Sequence, residues 1–448
     1  MLNMLRCRRG SAAFATVVAL VPMIGAVALG GEAGSWYVTK QHAQNAADAA
    51  AYSGALTRAC QLAGSCASDT VASRGKEFAA RSAFCNTGDT SYSGSQCPTS
   101  FPTGISRAVQ VASLTSWNGV NGNFVQATVS QQQPVYLAQL LGMSTVNIVA
   151  TAVAQVKQLT PNPPCILALS GSLSFQGSPN INAQNCGLAS NSRANNAINF
   201  TGGGMTFTGS LSAAGGCTGT ATFCNKAFLH TPPVSNPFSS LDSALTTLCG
   251  GSPSLPAKCG LPVCSGSGLV AYTAATPCTN DSVSTKGNTA VTLTAGVYFI
   301  SGALSLKGGS SITGTGVTFI LLPGATFDTR GGGTLTLTGP TTAPSSSSLP
   351  TAFQSSASLL QYMSIYDASS AAVQFGGNSN INLTGTIYAP TAAVTFQGNP
   401  TISVGNGGSC GQLIAASVAF NGNATLDSSG CPTQQQVSTP PQYVQLVQ

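Results

Sequence analysis

A short sequence pattern recurs along the C-terminal two thirds of this chain, and its spacing limits the folds that the chain can adopt. In each copy an aromatic or aliphatic residue is followed two positions later by Gly, and four positions after that by Ile or Leu. Internal periods near 20 residues are typical of solenoids, and short β-runs with Gly at their corners favour a parallel β-helix. We therefore predict a mainly β chain in which the repeated Phe and Ile residues form ladders inside a solenoid. The copies begin at Phe175, Leu306, Phe375, Phe396 and Phe420, and the last three starts are 21 and 24 residues apart.

The cysteines are spaced in the same way. The chain has 15 cysteines, and all but Cys7 follow the N-terminal apolar run, which leaves an even number for disulfides in an oxidising compartment. Zinc is the alternative, but the chain has no CxxC motif and only two histidines. Neighbouring coils of a solenoid lie about 4.8 Å apart, which suits the geometry of a disulfide. We predict bridges between neighbouring coils for Cys165 with Cys186 and for Cys410 with Cys431, because each pair is 21 residues apart.

The N-terminal end contains a run of 22 uncharged residues between Arg9 and Glu32. About 20 apolar residues are enough for a helix to cross a bilayer core of roughly 30 Å. Basic residues precede the run, so the positive-inside rule predicts a cytoplasmic N-terminus and an exported remainder. The triplets Ala26-Val27-Ala28 and Ala28-Leu29-Gly30 fit a signal-peptide cleavage site, so a cleaved signal is the alternative to an uncleaved anchor.

A small α+β region is predicted to follow this run. The segment after Gly34 is rich in Ala and free of Pro, which favours a helix that continues from the apolar run to about Cys60. Alternating apolar residues predict three strands and a short helix. This layout is found in pilins, and an unrelated small α+β domain is the alternative. The strands are expected at Ile105–Leu114, Asn123–Gln131 and Ser144–Val156, and the short helix at Val135–Met143.

The N-terminal motif has a recognisable composition. The segment starts with Gly-Ser and has Phe and Pro in its apolar run. An acidic residue, a Gly and a Tyr follow the run, and the string AADAAAYSGA comes after them. With these residues the segment Gly10–Leu56 resembles the N-terminal region of the TadE/TadG-like proteins of Flp (Tad) pilus assembly. The residues assigned to the membrane anchor are Gly10, Phe14, Pro22 and Gly30, and those assigned to the family motif are Glu32, Gly34, Tyr37, Ala46, Ala47, Asp48, Ala49 and Ala50.

Two departures from the resemblance bear on function. Prepilin-peptidase substrates have Glu at the fifth position after the cleavage-site Gly, whereas Ala15 occupies that position after Gly10. No prepilin processing is therefore expected. Longer relatives often carry a domain with a D-x-S-x-S metal site, but the nearest string, Asp367–Ala371, ends in Ala, so we expect neither a metal nor a cofactor.

The acidic residues argue against an enzyme. Glycoside hydrolysis needs two carboxylates about 5–10 Å apart, and the five acids after residue 160 are widely spaced in sequence. Asp328 and Asp367 are separated by 39 positions, close to two coils, which is a weak coincidence. Only 6% of residues are charged and the basic ones are scattered, so no nucleic-acid partner is expected.

These observations predict a bacterial inner-membrane protein with one pass, whose bulk is periplasmic or extracellular. The expected partners are the inner membrane and other pilus-assembly or secretion proteins. The alternative is a cell-surface adhesin or polysaccharide-active β-helix protein, with surface polysaccharide as its ligand. The predicted regions are a basic end and transmembrane anchor over 1–34, a pilin-like α+β region over 35–160, a first β-helix part over 161–216, a disulfide-rich Cys/Pro insertion over 217–280, the main β-helix over 281–431 and a tail over 432–448.

Overall fold

The structure is a computed structural model that divides the chain into two compact units. The first comprises residues 1–62, 66–157 and 444–448, and the second comprises residues 63–65 and 158–443. The described residues are 8–63, 69–89, 91–158, 164–202, 205–251, 257–266, 268–285, 287–377, 380–403, 405–406, 409–427 and 442–447.

The helices are few and, after the first, short. They are α1 (Arg8–Leu62), α2 (Val71–Arg81), α3 (Ala221–Cys224), α4 (Ser239–Leu248) and α5 (Thr351–Gln354), with 3-10 turns at Ala138–Leu141, Ser346–Ser348 and Ala357–Leu360.

Strands make up most of the remaining structure, as expected for a mainly β chain. They are β1 (Ser106–Trp117), β2 (Val120–Pro134), β3 (Thr145–Gln158), β4 (Pro164–Ala168), β5 (Leu173–Gly177), β6 (Asn180–Ser190), β7 (Ile198–Phe200), β8 (Thr206–Ala213), β9 (Cys217–Gly219), β10 (Val283–Thr285), β11 (Ala290–Leu293), β12 (Gly296–Ile300), β13 (Ala303–Lys307), β14 (Ser311–Thr315), β15 (Val317–Leu321), β16 (Thr326–Gly331), β17 (Thr334–Thr338), β18 (Met363–Asp367), β19 (Val373–Gly377), β20 (Asn380–Thr384), β21 (Thr386–Gly398), β22 (Thr401–Ser403), β23 (Gly405–Asn406), β24 (Ser409–Cys410), β25 (Leu413–Gly422), β26 (Thr425–Asp427) and β27 (Gln442–Val447).

The first unit packs α1 and α2 against a four-stranded sheet in the order β1-β2-β3-β27. The pairs β1–β2 and β2–β3 are antiparallel, so the three strands predicted from the sequence are confirmed. Of the short helix predicted over Val135–Met143, the structure has only the 3-10 turn Ala138–Leu141. The last strand differs from the sequence prediction of a tail over 432–448. Residues Gln442–Val447 instead lie at the edge of this sheet beside β3, and residues 432–441 lie outside the described residues.

The second unit is a solenoid-like stack of parallel strands. Most coils contribute three strands, and each strand pairs with its equivalent in the next coil. Thus β13 pairs with β10 and β16, β14 with β11 and β17, and β15 with β12 and β18. The spacing of about 21 residues in the repeat is the length of one coil. After one coil the chain reaches the equivalent position in the next coil of the stack.

The repeated Phe residues form one continuous ladder in the core. Phe375, Phe396, Phe420, Phe175 and Phe200 occupy equivalent positions in consecutive coils. Their rings stack at centroid distances of 5.1, 5.1, 5.6 and 5.0 Å. Such aromatic pairs stabilise a core beyond the effect of burial alone, so the Phe part of the predicted ladders is confirmed. The Ile positions are less regular, because Ile402 pairs with Leu383 rather than with Ile381.

The Gly of the repeat is explained by the corner that follows the Phe strand. Gly377, Gly398 and Gly422 adopt φ values of +69°, +76° and +89°, a region that other residues rarely occupy. These corners also stack closely, because a Cβ on Gly398 would lie 2.9 Å from the carbonyl oxygen of Gly377.

Chain order and spatial order differ in the stack. The last coil of the region 281–431 pairs through β25 and β26 with β4, β5 and β6. Residues 164–219 therefore continue the stack beyond residue 427, although they precede the rest of it in sequence. The predicted insertion over 217–280 begins later than expected, because its first residues form β9, which pairs with β7.

One column of strands is buried on both faces. Strands β4, β15 and β18 are buried throughout, and a second core lies on their outer side, where α4 and α5 pack. This explains why segments such as VTFIL read as continuous apolar runs rather than as alternating ones.

Five disulfides lie within the described residues. The bridge between Cys165 and Cys186, predicted from their spacing, joins Cα atoms 5.5 Å apart. For the second predicted pair, Cys410 lies in β24 but Cys431 is outside the described residues. The remaining bridges are Cys85–Cys97, Cys217–Cys224, Cys249–Cys259 and Cys264–Cys278.

Candidate functional site

The strongest candidate for a functional site is α1, because its two halves have different surroundings. From Ala15 to Gly31 the described side chains are exposed, apart from the half-buried Ala28. The helix is long and apolar enough to cross a membrane. Pro22 lies inside it and is exposed, and a Cβ on Gly30 would meet no neighbour. Gly10 and Phe14 lie in the first turns of α1, and their surroundings fall outside the described residues.

Glu32 ends the uncharged run and holds a distant part of the chain. Its carboxylate accepts hydrogen bonds from the backbone N–H groups of Tyr136, Leu137 and Ala138 at 2.7, 3.0 and 3.1 Å. These donors open the 3-10 turn Ala138–Leu141, where backbone N–H groups have no partner within the turn. A carboxylate that accepts such bonds is a strong, charge-assisted cap. Glu32 therefore fixes the connection between β2 and β3 beside α1.

The next turns of α1 continue along β3. Lys40 donates a hydrogen bond through Nζ to the carbonyl oxygen of Val149. Gln44 donates through Nε2 to Asp48 Oδ1 at 2.9 Å and, more weakly, to the carbonyl oxygen of Thr151 at 3.4 Å. Asp48 is half-buried and accepts this hydrogen bond within its own helix.

The other motif residues fall on two faces of α1. Ala46, Ala47 and Ala50 are completely buried against the sheet, together with other alanines at helical spacing, whereas Ala49 is half-buried. Tyr37 is 66% exposed, and a Cβ on Gly34 would meet no neighbour. The Ala-rich string is thus a packing surface that allows α1 to approach the sheet closely.

The acidic residues of the second unit lie apart from one another, and each forms an ion pair or accepts hydrogen bonds. Asp328 pairs with Arg330 at 2.7 Å on β16, whereas Asp367 ends β18 in a different strand column of the same coil. The 39-residue spacing therefore does not place them in equivalent positions two coils apart. Asp242 on α4 accepts hydrogen bonds from the hydroxyls of Tyr366 and Tyr388 at 2.9 and 2.6 Å. Burial raises the pKa of Asp242, and the two tyrosine hydroxyls oppose this effect.

Asp367 is the most deeply buried acid, with 1% of its surface exposed. Oδ1 accepts a hydrogen bond from the backbone N–H of Ser369 at 2.8 Å, whereas Oδ2 and Ser369 Oγ are buried without a partner. Burial raises the pKa of Asp367 to about 7 despite the hydrogen bond from the backbone N–H of Ser369. Asp367 thus closes a local turn at the end of β18, and its ionisation destabilises the folded chain because the charge is buried.

We expect the substitution Asp367→Asn to stabilise the second unit at high pH. The carboxyl of Asp367 binds its proton more tightly in the folded chain than in the unfolded chain. Its contribution to the free energy of unfolding is therefore fully present below about pH 4 and is lost as the pH rises through about 7. The loss amounts to about 4 kcal/mol, and Asn does not undergo it. Urea denaturation followed by far-UV circular dichroism should therefore show the variant gaining about 4 kcal/mol over the parent between pH 4 and pH 8. Asp281→Asn, at an exposed site, is the control, and a difference independent of pH would contradict the expectation.

The motif residues are recognisable in the sequence, but their contacts are not. Glu32 is the first acidic residue of the chain, which is a signal that it has a specific role. Its partners are backbone groups 104 to 106 positions away, and backbone groups carry no sequence signature. The same holds for the bond from Lys40 to Val149.

The similarity of this chain to a known family lies on α1. Residues 10–59 match the Tad family model, which is described as Flp pilus-assembly TadE/G-like. The matched segment lies entirely on α1 and ends three residues before the helix does. Searches of curated proteins and of solved structures found no match.

Proposed function

We propose, starting from the TadE/G-like segment at residues 10–59, that this chain is a membrane-anchored, exported structural protein of Flp pilus assembly or of the associated secretion machinery. The observation that carries the proposal is the continuity of α1, which joins an exposed apolar half to a half that packs into a folded domain. The role is scaffolding. The anchor fixes the position of the chain in the inner membrane with its N-terminus cytoplasmic, and the exported part offers a rigid surface to partner subunits.

The second unit supports a structural role. Its parallel coils, internal Phe ladder and disulfides form what we propose to be a parallel β-helix, a fold whose stacked coils make a stiff body. With only 6% charged residues in the chain, its surface suits contacts with other subunits rather than with nucleic acid.

We also propose that the chain is not an enzyme. Each of the five acids after residue 160 has a partner within the described residues, as Asp281 has in Lys258 at 3.6 Å and Asp427 in Asn182 at 2.9 Å. A cavity of about 420 Å³ lies between residues 263–266 and 268–269 on one side and the first coil on the other, and Asp281 is the one acid among its lining residues in the described part of the chain. Hydrolysis of a polysaccharide would require a second carboxylate beside it.

The N-terminus of the mature protein tests the membrane anchor. We expect mass spectrometry of purified membrane fractions to find residues 1–30 intact. A mature start near Leu29 or Gly31 in soluble material would contradict the anchor and would favour a secreted adhesin or polysaccharide-binding protein.

The pilus role has a separate test in the producing cells. Deletion of the gene should abolish Flp pili at the cell surface, and the full chain supplied in trans should restore them. Unchanged pili in the deletion strain would contradict the proposed role even if the protein is anchored.

A further inference from the structure

The connection between β2 and β3, residues Val135–Met143, lies beside the end of the apolar run. Glu32 directly follows that run and binds the backbone of Tyr136, Leu137 and Ala138 at 3.1 Å or less. If residues 10–31 cross the bilayer core as a helix, Glu32 lies at its surface, because 22 residues at about 1.5 Å each span the core. The connection then lies at the same depth.

The side chains of this connection suit a lipid surface. Tyr136 is 77% exposed and Met143 is 42% exposed, although both are large and apolar. Tyr37, one and a half turns above Glu32, is 66% exposed. Tyr is enriched where proteins meet the boundary between lipid headgroups and acyl chains, because one end of its ring is apolar and the other is polar.

Charge supports the same assignment. The sequence has no charged residue and no His between Arg107 and Lys157. The one carboxylate at this place, Glu32, is occupied by three backbone donors. Contact with lipid therefore requires no charged side chain of the connection to lose its hydration.

We propose that Val135–Met143 is a second membrane contact, which inserts Tyr136 and Met143 into the headgroup boundary beside the anchor helix. Glu32 acts as a positioning residue that holds the connection there. The inference rests on the proposed membrane anchor and adds a fixed orientation of the first unit on the bilayer. Because the contact is apolar, it does not depend on anionic lipid.

Brominated lipids test the contact in the full-length chain reconstituted into phosphatidylcholine vesicles. Trp36 and Trp117 are first replaced by Phe, and Tyr136→Trp is then introduced as the probe. The matched control is Val120→Trp, which is also an exposed apolar position, at the other end of β2. The two sites are roughly 50 Å apart along the strand.

We expect the indole introduced at position 136 to lose about half of its emission in brominated vesicles, because it would lie about 5–10 Å deep in the boundary. The indole at position 120 should be unaffected by bromine and quenched by aqueous iodide. If the vesicles float with the protein but the indole at position 136 is quenched only by iodide, the second contact is wrong and the anchor stands. If the protein does not float with the vesicles, both the anchor and this inference are wrong.

Discussion

Replacing Phe396 with Ala is expected to lower the free energy of unfolding of the second unit by about 3–5 kcal/mol. Phe396 is completely buried and stacks between Phe375 and Phe420, each at a centroid distance of 5.1 Å. The substitution removes both ring contacts and leaves a cavity in the middle of the stack. Neighbouring coils have no other means of filling it, because each coil contacts only the next one on either side.

The two units can be followed separately in this experiment. Both Trp residues, Trp36 and Trp117, belong to the first unit, so Trp fluorescence reports that unit alone. In urea, Phe396→Ala should shift the transition seen by far-UV circular dichroism and leave the Trp transition in place. Gln397→Ala, one position along the same strand and half-buried, is the matched control, with an expected change within about 0.5 kcal/mol. Equal losses for the two variants would show that the ladder has no special role.

A second large effect is expected for Ala50→Asp in the motif of α1. Ala50 is completely buried between α1 and the sheet. A Cβ on the neighbouring Gly75 of α2 would lie 3.0 Å from the carbonyl oxygen of Ala50, so α2 approaches the backbone of α1 closely at this position. An unpaired carboxylate there should lower the free energy of unfolding of the first unit by about 3–5 kcal/mol.

The matched control for this variant is Asn45→Asp, which adds the same charge on the exposed face of α1. Trp fluorescence of the detergent-solubilised full chain in urea measures both variants. Ala50→Asp should unfold at a lower urea concentration, whereas Asn45→Asp should stay within about 0.5 kcal/mol of the parent. If the two variants behave alike, the Ala-rich string is not a packing surface, and a direct contact with partner subunits would explain the motif better.

Periodic patterns made much of the fold predictable. The Phe-x-Gly repeat is visible in the sequence because each coil must place an apolar residue inward and a turn at the same corner. Strands β1, β2 and β3 were predictable because alternation along a strand reflects one buried and one exposed face. The pair Cys165–Cys186 was predictable because its spacing equals one coil.

Contacts between segments that are distant in sequence were not predictable in the same way. The placement of residues 164–219 after residue 427 depends on which strand edges meet, and a repeated pattern does not specify the order in which its coils stack. The strand Gln442–Val447 is short and polar enough to read as a tail, yet it completes the sheet of the first unit.

The amino-acid sequence by itself therefore determined the elements with a period: the apolar run, the Ala face of α1, the Phe ladder and the coil spacing. Periodicity is a local consequence of backbone geometry, so it can be recognised in the sequence alone. Only the tertiary structure decided that Glu32 binds the backbone of Tyr136, Leu137 and Ala138, that Asp367 is buried, and that the solenoid-like stack runs out of chain order. Each of these depends on backbone groups or on burial by segments that are distant in sequence. The residues near Glu32 or Asp367 in the sequence do not indicate these contacts.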